Sequence, residues 1–393
     1  MTMLDGVRVV DLGSFITAPY AAMQLAELGA DVVKVERPQG GDPFRSFAGG
    51  LYSPQYQAHN RGKRSLALDY ASPQGLSVLK ALAANADVLI VNLRPGAAER
   101  LGLGAAALQA SNPRLIYCAI SGFGESGPYR DRPAYDTVGQ ALSGWLSLFH
   151  DSADPRIAGP AVCDAITGLF AAQGVLAALY ERERTGRGRL VEANMVEACL
   201  AFATEPLSQF FASGKAVSPF SRTALSQSFV LMCADGRRIG LHLSSPDKFW
   251  RGLLLAIERP DLGEDERFAR RESRVRHYED LARALAEAFA RRPAAEWERR
   301  LLAHDVPFSP ALRLDELEDD PHVRHLDPFV RAPHPRQGEV RGVRHPLRYD
   351  RQRLPDLPAP PELGEHSLQL LRQIGLSDGE IDAMVKAGIV AGA

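Results

Sequence analysis

Residues 159–191, GPAVCDAITGLFAAQGVLAALYERERTGRGRLV, decide how the chain folds. One carboxylate, Asp164, precedes the apolar run 165–180, and Thr185-Gly186 ends the predicted helix. Sixteen residues that include a glutamine are too few to span a membrane, so we expect a helix buried on all sides in a large core. Asp164 then lies near the helix N-terminus, where unpaired N–H groups stabilise negative charge. On this stretch alone, Asp164 is interpreted first as a helix cap.

Composition indicates a soluble globular protein with enough chain for two domains. The 393 residues are 45% hydrophobic and 24% charged, and the net charge is -2, which argues against a general nucleic-acid or membrane-surface binder. The amino terminus has no basic segment followed by an apolar one, so we expect a cytoplasmic protein. Four cysteines without a CxxC pair favour reduced thiols and no zinc site: Cys118, Cys163, Cys199 and Cys233.

The first part of the chain alternates between strand and helix patterns. Strands are predicted at 6–12, 31–36, 65–68, 87–92 and 115–120, with helices at 19–28 and 73–84. Such alternation is typical of an α/β fold with a mostly parallel sheet and helices on both faces. Ligands of such sheets bind at the carboxyl ends of the strands, where Asn92, Arg94 and Ser121 fall.

The first βαβ unit lacks the signature of a nicotinamide-binding enzyme. Glu36 occupies the position of the acid that holds a ribose, but the first turn reads DLGSFITAPY and has no GxGxxG. Arg37 suits a phosphorylated ribose instead, or is a surface arginine. The basic cluster 60–65 either binds an anion or is solvated. His322 and His325 are interpreted as a solvated loop.

The second part of the chain has a different pattern of predicted elements. A strand at 190–194 and one long helix at 195–211 precede a hairpin at 229–243, which begins a small α+β domain with helices at 249–257, 278–291 and 294–304. The Pro- and Arg-rich segment 328–361 is interpreted as a return linker, followed by helices at 367–375 and 378–386. The predicted domains are 1–212 and 226–325, with 340–393 completing the first.

Seven segments in order then resemble the class III CoA-transferase family. They are LGADVVKVERPQGGDPFR, NRGKRSLALD, NLRPGAAERLGL, SGFGESGPYRDRPAYD, GPAVCDAITG, ALYERERTGRG and the closing LGEHS with GLSDGEI. The family includes formyl-CoA:oxalate and carnitine CoA-transferases and, on a diverged branch, 2-methylacyl-CoA racemase. The match covers nearly the whole chain.

The resemblance implies a site, a substrate and an assembly. The family's nucleophilic aspartate falls on Asp164. Coenzyme A enters as a thioester substrate, with no permanently bound cofactor and no metal, and the family forms interlocked homodimers with a Rossmann-like large domain. Its CoA contacts fall on Ile16, Thr17, Arg37, Leu68, Asp69, Asn92, Leu93, Arg94, Arg100, Arg132, Tyr135 and Asp136.

The resemblance also implies transfer of CoA to a carboxylic acid through an aspartyl anhydride and an aspartyl-CoA thioester. Two departures from the oxalate-specific pattern bear on the acid. Ile16 replaces a glutamine beside the reacting carbonyl, and segment 221–228 lacks a glycine run, so oxalate is disfavoured as acceptor and the oxyanion-stabilising group is open. Arg222 and His242 either address a second carboxylate of a dicarboxylic acid or are structural.

Two alternatives stay beside the transferase interpretation. The racemase branch requires a histidine where this chain has Tyr135, and a tyrosine with an ordinary pKa near 10 is a poor α-proton base. A non-catalytic CoA-binding protein is the second alternative, against which the presence of Asp164 argues.

Overall fold

The chain divides into two compact units, described in a computed structural model over residues 2–149 and 156–392. Unit 1 comprises Met1–Trp145, Ala158–Thr204 and Pro328–Ala393, and unit 2 comprises Leu146–Ile157 and Glu205–Asp327. Both chain ends therefore belong to unit 1. The units divide at Thr204 and at Pro328, whereas the sequence predicted 1–212 and 340–393 for the large domain and 226–325 for the small one.

Unit 1 begins with regular alternation of strand and helix. Its elements are β1 (Arg8–Asp11), α1 (Thr17–Glu27), β2 (Asp31–Glu36), α2 (Pro54–Gln57), β3 (Lys63–Leu68), α3 (Pro73–Ala84), β4 (Val88–Val91), α4 (Ala97–Arg100), α5 (Ala105–Ser111), β5 (Ile116–Ser121), α6 (Asp136–Leu142), α7 (Val162–Thr185), β6 (Leu190–Asn194) and α8 (Met195–Phe202). The predicted helix 195–211 is wrong as a single helix, because α8 ends at Phe202 and the next residue, Ala203, leaves the helical conformation with ψ 28°.

Unit 2 is a small α+β body with its own core. Its elements are α9 (Thr204–Ser213), α10 (Ser221–Ser226), β7 (Ser228–Met232), β8 (Arg238–His242), α11 (Asp247–Ile257), α12 (Asp261–Glu264), α13 (Arg271–Arg276), α14 (Tyr278–Phe289), α15 (Ala294–Ala303), β9 (Phe308–Pro310) and α16 (Pro321–Leu326). Strands β7, β8 and β9 form an antiparallel sheet in that order. Aromatic side chains such as Trp250, Phe289 and Trp297 fill the core between this sheet and the helices.

The chain returns to unit 1 through more regular structure than the sequence predicted. The elements are β10 (Phe329–His334), β11 (Gly338–Val343), β12 (Arg348–Tyr349), β13 (Gln352–Arg353), α17 (Ser367–Gln373), α18 (Asp378–Lys386) and β14 (Val390–Ala391). Segment 328–361 is therefore not a plain linker, since β10 and β11 pair as an antiparallel hairpin. Val330, Ala332 and Val340 are buried, and buried and exposed residues alternate along β10 despite the many prolines and arginines of this segment.

The seven-stranded sheet of unit 1 has the order β14-β3-β2-β1-β4-β5-β6. Strands β1 to β6 run parallel, and β14 pairs antiparallel with β3 through Val390 and Leu68. The α/β prediction with a mostly parallel sheet is confirmed. Strand order reverses between β1 and β4, and the loops after these two strands border the crevice where doubly wound sheets bind ligands.

Helix α7 packs with α1 against one face of the sheet, while α3, α5, α17 and α18 cover the other. It ends as predicted, with Gly186 in the left-handed conformation at φ 69°. Its 24 residues exceed the predicted run, and by length and composition alone it could cross a membrane, with a mean hydropathy of 1.7 in its 18-residue apolar window. Of that window, 56% is buried inside the protein. Burial on all sides was predicted wrongly, because Leu169, Phe170 and Tyr180 are exposed.

Candidate active site

A cavity of about 290 Å³ lies at the reversal of strand order in unit 1. Its walls come from the loops after β1, β4 and β5, from residues ahead of α6, and from the first turn of α7. The structure brings together eight of the residues that the sequence proposed for the site. They are Ile16, Thr17, Asn92, Leu93, Arg94, Arg132, Tyr135 and Asp164.

The cavity continues along the carboxyl ends of the strands. A neighbouring cavity of about 400 Å³ shares Ser121 with it and extends between the loop after β5 and β6. A third, of about 170 Å³, shares Leu93, Arg94 and Pro95. Of these three cavities only the first is lined by Asp164, which makes it the candidate for the reaction.

Asp164 is the third residue of α7 and is 9% exposed. Its carboxylate has no hydrogen-bond or ion-pair partner within residues 2–149 and 156–392. Burial, followed by the negative charge of Asp136, raises the pKa of Asp164 to about 7. A carboxylate that is poorly solvated, unpartnered and half-ionised near neutral pH is a candidate catalytic group.

Asp136 performs the capping role that the sequence first assigned to Asp164. The Asp164 N–H donates to Asp136 Oδ1 over 3.1 Å, while Ala161, at the N-cap position, makes no side-chain cap. Gln140 Nε2 donates to the other oxygen, Oδ2, over 2.5 Å. The cap interpretation of Asp164 is therefore wrong. Asp136, proposed as a CoA contact, has its carboxylate bonded within the protein and is not among the residues that line the cavity.

The loop after β1 is held from two sides. Asn92 accepts from the Ser14 N–H over 3.0 Å and donates to the Ser14 carbonyl and the Thr17 hydroxyl over 2.8 and 3.0 Å. Asp42 accepts from the N–H of Phe15, whose φ of 63° is strained for a residue with a side chain. This loop, which forms one wall of the cavity, is thus positioned by long-range contacts.

Buried charged side chains also hold the loop after β1 in place. Lys34 donates to the Gly13 carbonyl over 2.9 Å and lies 2.9 Å from Asp42, while Lys63 lies 2.8 Å from Asp11. All four charged side chains are fully buried. Because each charge has an opposite partner, the cluster avoids the large desolvation cost of an isolated buried ion.

The basic cluster 60–65 is neither an anion site nor a solvated run. Arg61 pairs with Glu27, Lys63 with Asp11 and Arg64 with Asp31. Glu36 is likewise occupied, since Arg45 donates to both of its oxygens over 2.7 and 2.8 Å. These side chains hold unit 1 together and are not available to a nucleotide.

Besides Asp136, four further proposed CoA contacts lie outside the cavity lining. Arg37 and Arg100 are exposed and have no carboxylate within 4 Å in the described part of the chain. Asp69 is half-buried, and its carboxylate accepts from the Ala71 N–H. The Leu68 side chain is fully buried in the core, so it cannot touch a ligand, and only its backbone is left for such a contact.

Arg130 lines the cavity and was not singled out from the sequence. A Cβ on Gly96 would lie 3.2 Å from Arg100 Nη1 and 3.5 Å from Arg130 Nη2, so both guanidinium groups pack over this glycine. Arg132 stacks on Tyr129 with 3.7 Å between its guanidinium carbon and the ring centroid. Arg130 falls inside the quoted SGFGESGPYRDRPAYD segment, but no local sequence pattern marks it as a residue of the cavity wall.

The remaining predicted groups have other surroundings. In unit 2, Arg222 pairs with Glu205 over 2.8 Å and His242 contacts the Ser228 hydroxyl over 3.1 Å. His322 and His325 are exposed, but they lie in α16 and not in the loop that the sequence predicted. All four cysteines are buried and free. No group of three or more His, Cys, Asp or Glu side chains that could hold a metal occurs in the described ranges.

Comparison with known proteins adds an independent finding. The family model described as CoA-transferase family III matches residues 4–367. Succinyl-CoA:glutarate CoA-transferase of Mus musculus is 27% identical, with 99% of this chain and 91% of the relative covered. Formyl-CoA:oxalate CoA-transferase of Streptomyces avermitilis is 32% identical, with 98% of this chain and 99% of the relative covered. A CAIB/BAIF family protein from Brucella suis has a solved structure with a TM-score of 0.84 and 30% identity over 95% and 99%.

Proposed function

The chain belongs to CoA-transferase family III and is a CoA-transferase, and we propose that it works through covalent intermediates on Asp164. One observation carries this proposal. Asp164 presents a carboxylate that is nine-tenths buried, unpartnered within the described residues and relieved of capping by Asp136.

The proposed reaction has four balanced steps. The Asp164 carboxylate attacks the carbonyl of an acyl-CoA thioester, which forms a C–O bond and expels CoA thiolate, leaving a mixed anhydride. The thiolate attacks the aspartyl carbonyl, which releases the first acid as its carboxylate and leaves an aspartyl-CoA thioester. An incoming carboxylate and then the thiolate repeat these two steps in reverse, so the second acid leaves as its CoA thioester and Asp164 is regenerated.

The surroundings of Asp164 suit a nucleophile. Burial removes the water that would stabilise the carboxylate, and a pKa of about 7 leaves a substantial ionised fraction at neutral pH. A bound acyl-CoA that fills the cavity displaces water from Asp164, which protects the mixed anhydride from hydrolysis. The exposed guanidinium groups of Arg94, Arg100 and Arg132 are proposed to meet the phosphates of CoA.

The test of this proposal is trapping of the intermediate. Incubation with an acyl-CoA donor and no acceptor acid is expected to leave an adduct on the peptide that contains Asp164, detected by mass spectrometry. Borohydride is expected to reduce that adduct to a homoserine-like side chain. Asp164→Asn keeps the size of the side chain and removes the nucleophile, so turnover is expected to fall by several orders of magnitude.

Asp164→Ala is the matched variant, and both variants are expected to bind CoA and to form no adduct. Near-native turnover by Asp164→Asn contradicts the assignment and moves the nucleophile elsewhere. Exchange of the α-proton of a 2-methylacyl-CoA for deuterium without any acceptor acid points to the racemase alternative instead. No histidine is among the residues that line the cavity, which disfavours that chemistry.

The two acids between which CoA is transferred are proposed here only as a chemical class, and experiment is needed to identify them. The relatives named above transfer CoA among succinate, glutarate, formate and oxalate, so dicarboxylic acids lead the panel of acceptors. The apolar side chain of Ile16 lines the cavity and suits a chain with methylene groups better than oxalate. Incubation of succinyl-CoA or acetyl-CoA with each acid, followed by mass detection of new thioesters, decides the pair.

A homodimer is proposed as the working assembly. On α7, Leu169 and Phe170 are exposed by 46% and 37%, and α9 has no buried residue although it carries Phe210 and Phe211. Apolar side chains left open on two regular helices indicate surfaces that a second copy covers.

A further inference from the structure

Three successive backbone donors at the start of α1 have no acceptor among the residues that the structure describes. The N–H groups of Gly13, Ser14 and Phe15 donate to Asp11, Asn92 and Asp42, and the N–H of Tyr20 donates to the Ile16 carbonyl over 2.7 Å. Those of Ile16, Thr17 and Ala18 have no partner within residues 2–149 and 156–392, and Pro19 has no N–H. Thr17 and Ala18 are buried. Unpaired buried N–H groups are rare in folded proteins and call for a ligand or water.

Gly168 shows which way Asp164 faces. A Cβ at Gly168 would lie 2.8 Å from the Thr17 carbonyl oxygen, so this part of α7 touches the first turn of α1. Residues four apart share one face of a helix, and side chains lean toward its N-terminus. Asp164 therefore projects toward the residues that precede Thr17, and Ile16, Thr17 and Asp164 all line the same cavity.

We propose that the backbone N–H groups of Ile16 and Thr17 form the oxyanion site of the reaction, opposite the Asp164 carboxylate. This inference rests on the proposed function of Asp164. When Asp164 attacks, the C–O bond forms and the carbonyl π electrons move to the oxygen. The two N–H groups, at the positive end of the 11-residue α1, stabilise that oxyanion until the C–S bond breaks.

The assignment explains how the chain works without a polar side chain at position 16. Backbone donors are fixed by Asn92 and Asp42, which hold Ser14 and Phe15 immediately before them. Preorganised donors need no reorientation as charge develops. The carboxylate of Asp164 makes no bond to these N–H groups in the structure, so they are free for the substrate oxygen.

Infrared spectroscopy of a bound carbonyl tests the oxyanion site without turnover. Acetyl-CoA labelled with ¹³C at its carbonyl is bound to Asp164→Asn, and the labelled C=O stretch is expected at lower frequency than in water, because hydrogen bonds polarise the carbonyl. An unshifted or raised frequency overturns the proposal. This arm needs no change at position 17 and does not depend on the folding of a second variant.

Thr17→Pro and Thr17→Val form the matched pair. Both remove the hydroxyl that Asn92 contacts, and only the proline removes the N–H. Because a proline also disfavours the αR conformation of the residue before it, here Ile16, kcat is compared only after both variants are shown to bind CoA with the affinity of the wild type. In the enzyme with Asp164 intact, we expect kcat of Thr17→Pro to be about 10²–10³-fold below that of Thr17→Val. Equal kcat values in two folded variants would overturn the role of the Thr17 N–H.

The outcomes separate this inference from the proposed function. A covalent adduct on Asp164 together with an unshifted carbonyl removes the oxyanion site and keeps the nucleophile. A shifted carbonyl in Asp164→Asn that nevertheless turns over normally keeps the oxyanion site and removes the nucleophile.

Discussion

At the scale of single residues, Asp136 controls both the position and the charge of Asp164. Its carboxylate holds the Asp164 N–H, and its negative charge adds to burial in raising the pKa of Asp164 to about 7. Most helix caps act within one helix, whereas this one comes from α6. The two effects are separable, because an amide oxygen can replace the cap but cannot replace the charge.

Asp136→Asn is therefore expected to shift the pH dependence of activity. In the proposed mechanism the ionised form of Asp164 is the nucleophile, so the rate is expected to rise as pH passes through its pKa. Removal of the Asp136 charge lowers that pKa, so the acid limb of kcat/KM against pH is expected to move to lower pH. Burial persists, so the limb stays above that of an ordinary aspartate.

Asp136→Ala is the comparison. It removes charge and cap together and is expected to lower the free energy of unfolding by about 0.5–2 kcal/mol relative to the asparagine variant. An acid limb in the same place for wild type and Asp136→Asn shows that Asp136 does not tune Asp164.

Arg37 is expected to recognise the 3'-phosphate of CoA. It is exposed beyond β2 and has no carboxylate within 4 Å in the described ranges. Charge-assisted hydrogen bonds contribute roughly 1.5–3 kcal/mol, so Arg37→Ala is expected to raise KM for CoA esters about 10- to 150-fold. Dephospho-CoA esters are expected to be affected little.

Arg64→Ala is the control for this comparison, because Arg64 is an arginine already paired with Asp31. Equal increases in KM for CoA and dephospho-CoA esters after Arg37→Ala show that Arg37 does not contact the phosphate.

At the scale of elements, the contact between α7 and α1 sets the distance between Asp164 and the loop after β1. Gly168 permits that contact, since a Cβ there would lie 2.8 Å from the Thr17 carbonyl oxygen and 3.1 Å from the Tyr20 ring. A backbone oxygen can retreat only if α1 moves. Gly168→Ala is expected to cost about 1–3 kcal/mol of stability through over-packing and to lower kcat.

Gly379→Ala is the matched control for thermal unfolding and turnover. Gly379 lies in α18, and a Cβ there meets nothing within 4 Å. The substitution is expected to be neutral or slightly stabilising, because glycine disfavours helix. A Gly168→Ala enzyme with the stability and rate of the wild type would mean that the two helices are not held at contact distance.

At the scale of the whole molecule, the exposed apolar side of α7 predicts a stable dimer. The protein is expected to stay dimeric at nanomolar concentration, as measured by mass photometry, because obligate interfaces are large and apolar. Leu169→Glu is expected to weaken the dimer, since it places a charge in that surface. Monomers of the wild type at nanomolar concentration contradict the assembly.

Val385→Glu serves as its control. Val385 is a similarly exposed apolar residue, at 41%, on α18, which covers the opposite face of the sheet from α7. This variant is expected to leave the dimer unchanged, so a matching loss in both variants points to general destabilisation.

The sequence by itself determined the α/β class, most strand and helix positions and the position of Asp164 near the start of the long helix α7. These are local properties, because hydrophobic periodicity, a helix start and a glycine stop depend on neighbours within a few residues. Seven short segments added the CoA-transferase assignment, because their order along the chain matches that of the family.

Only the tertiary structure decided which groups act on one another. The cap from Asp136 on Asp164 and the burial of Lys34 and Lys63 join residues far apart in the chain. The composition of 328–361 gave no sign of the hairpin that forms there through strand pairing. Leu68 was assigned to a ligand from the sequence, although its side chain packs in the core. Burial and partnership depend on long-range packing, which is why only the structure shows that Asp164 is buried and unpartnered within the described residues and that its helix is capped by Asp136.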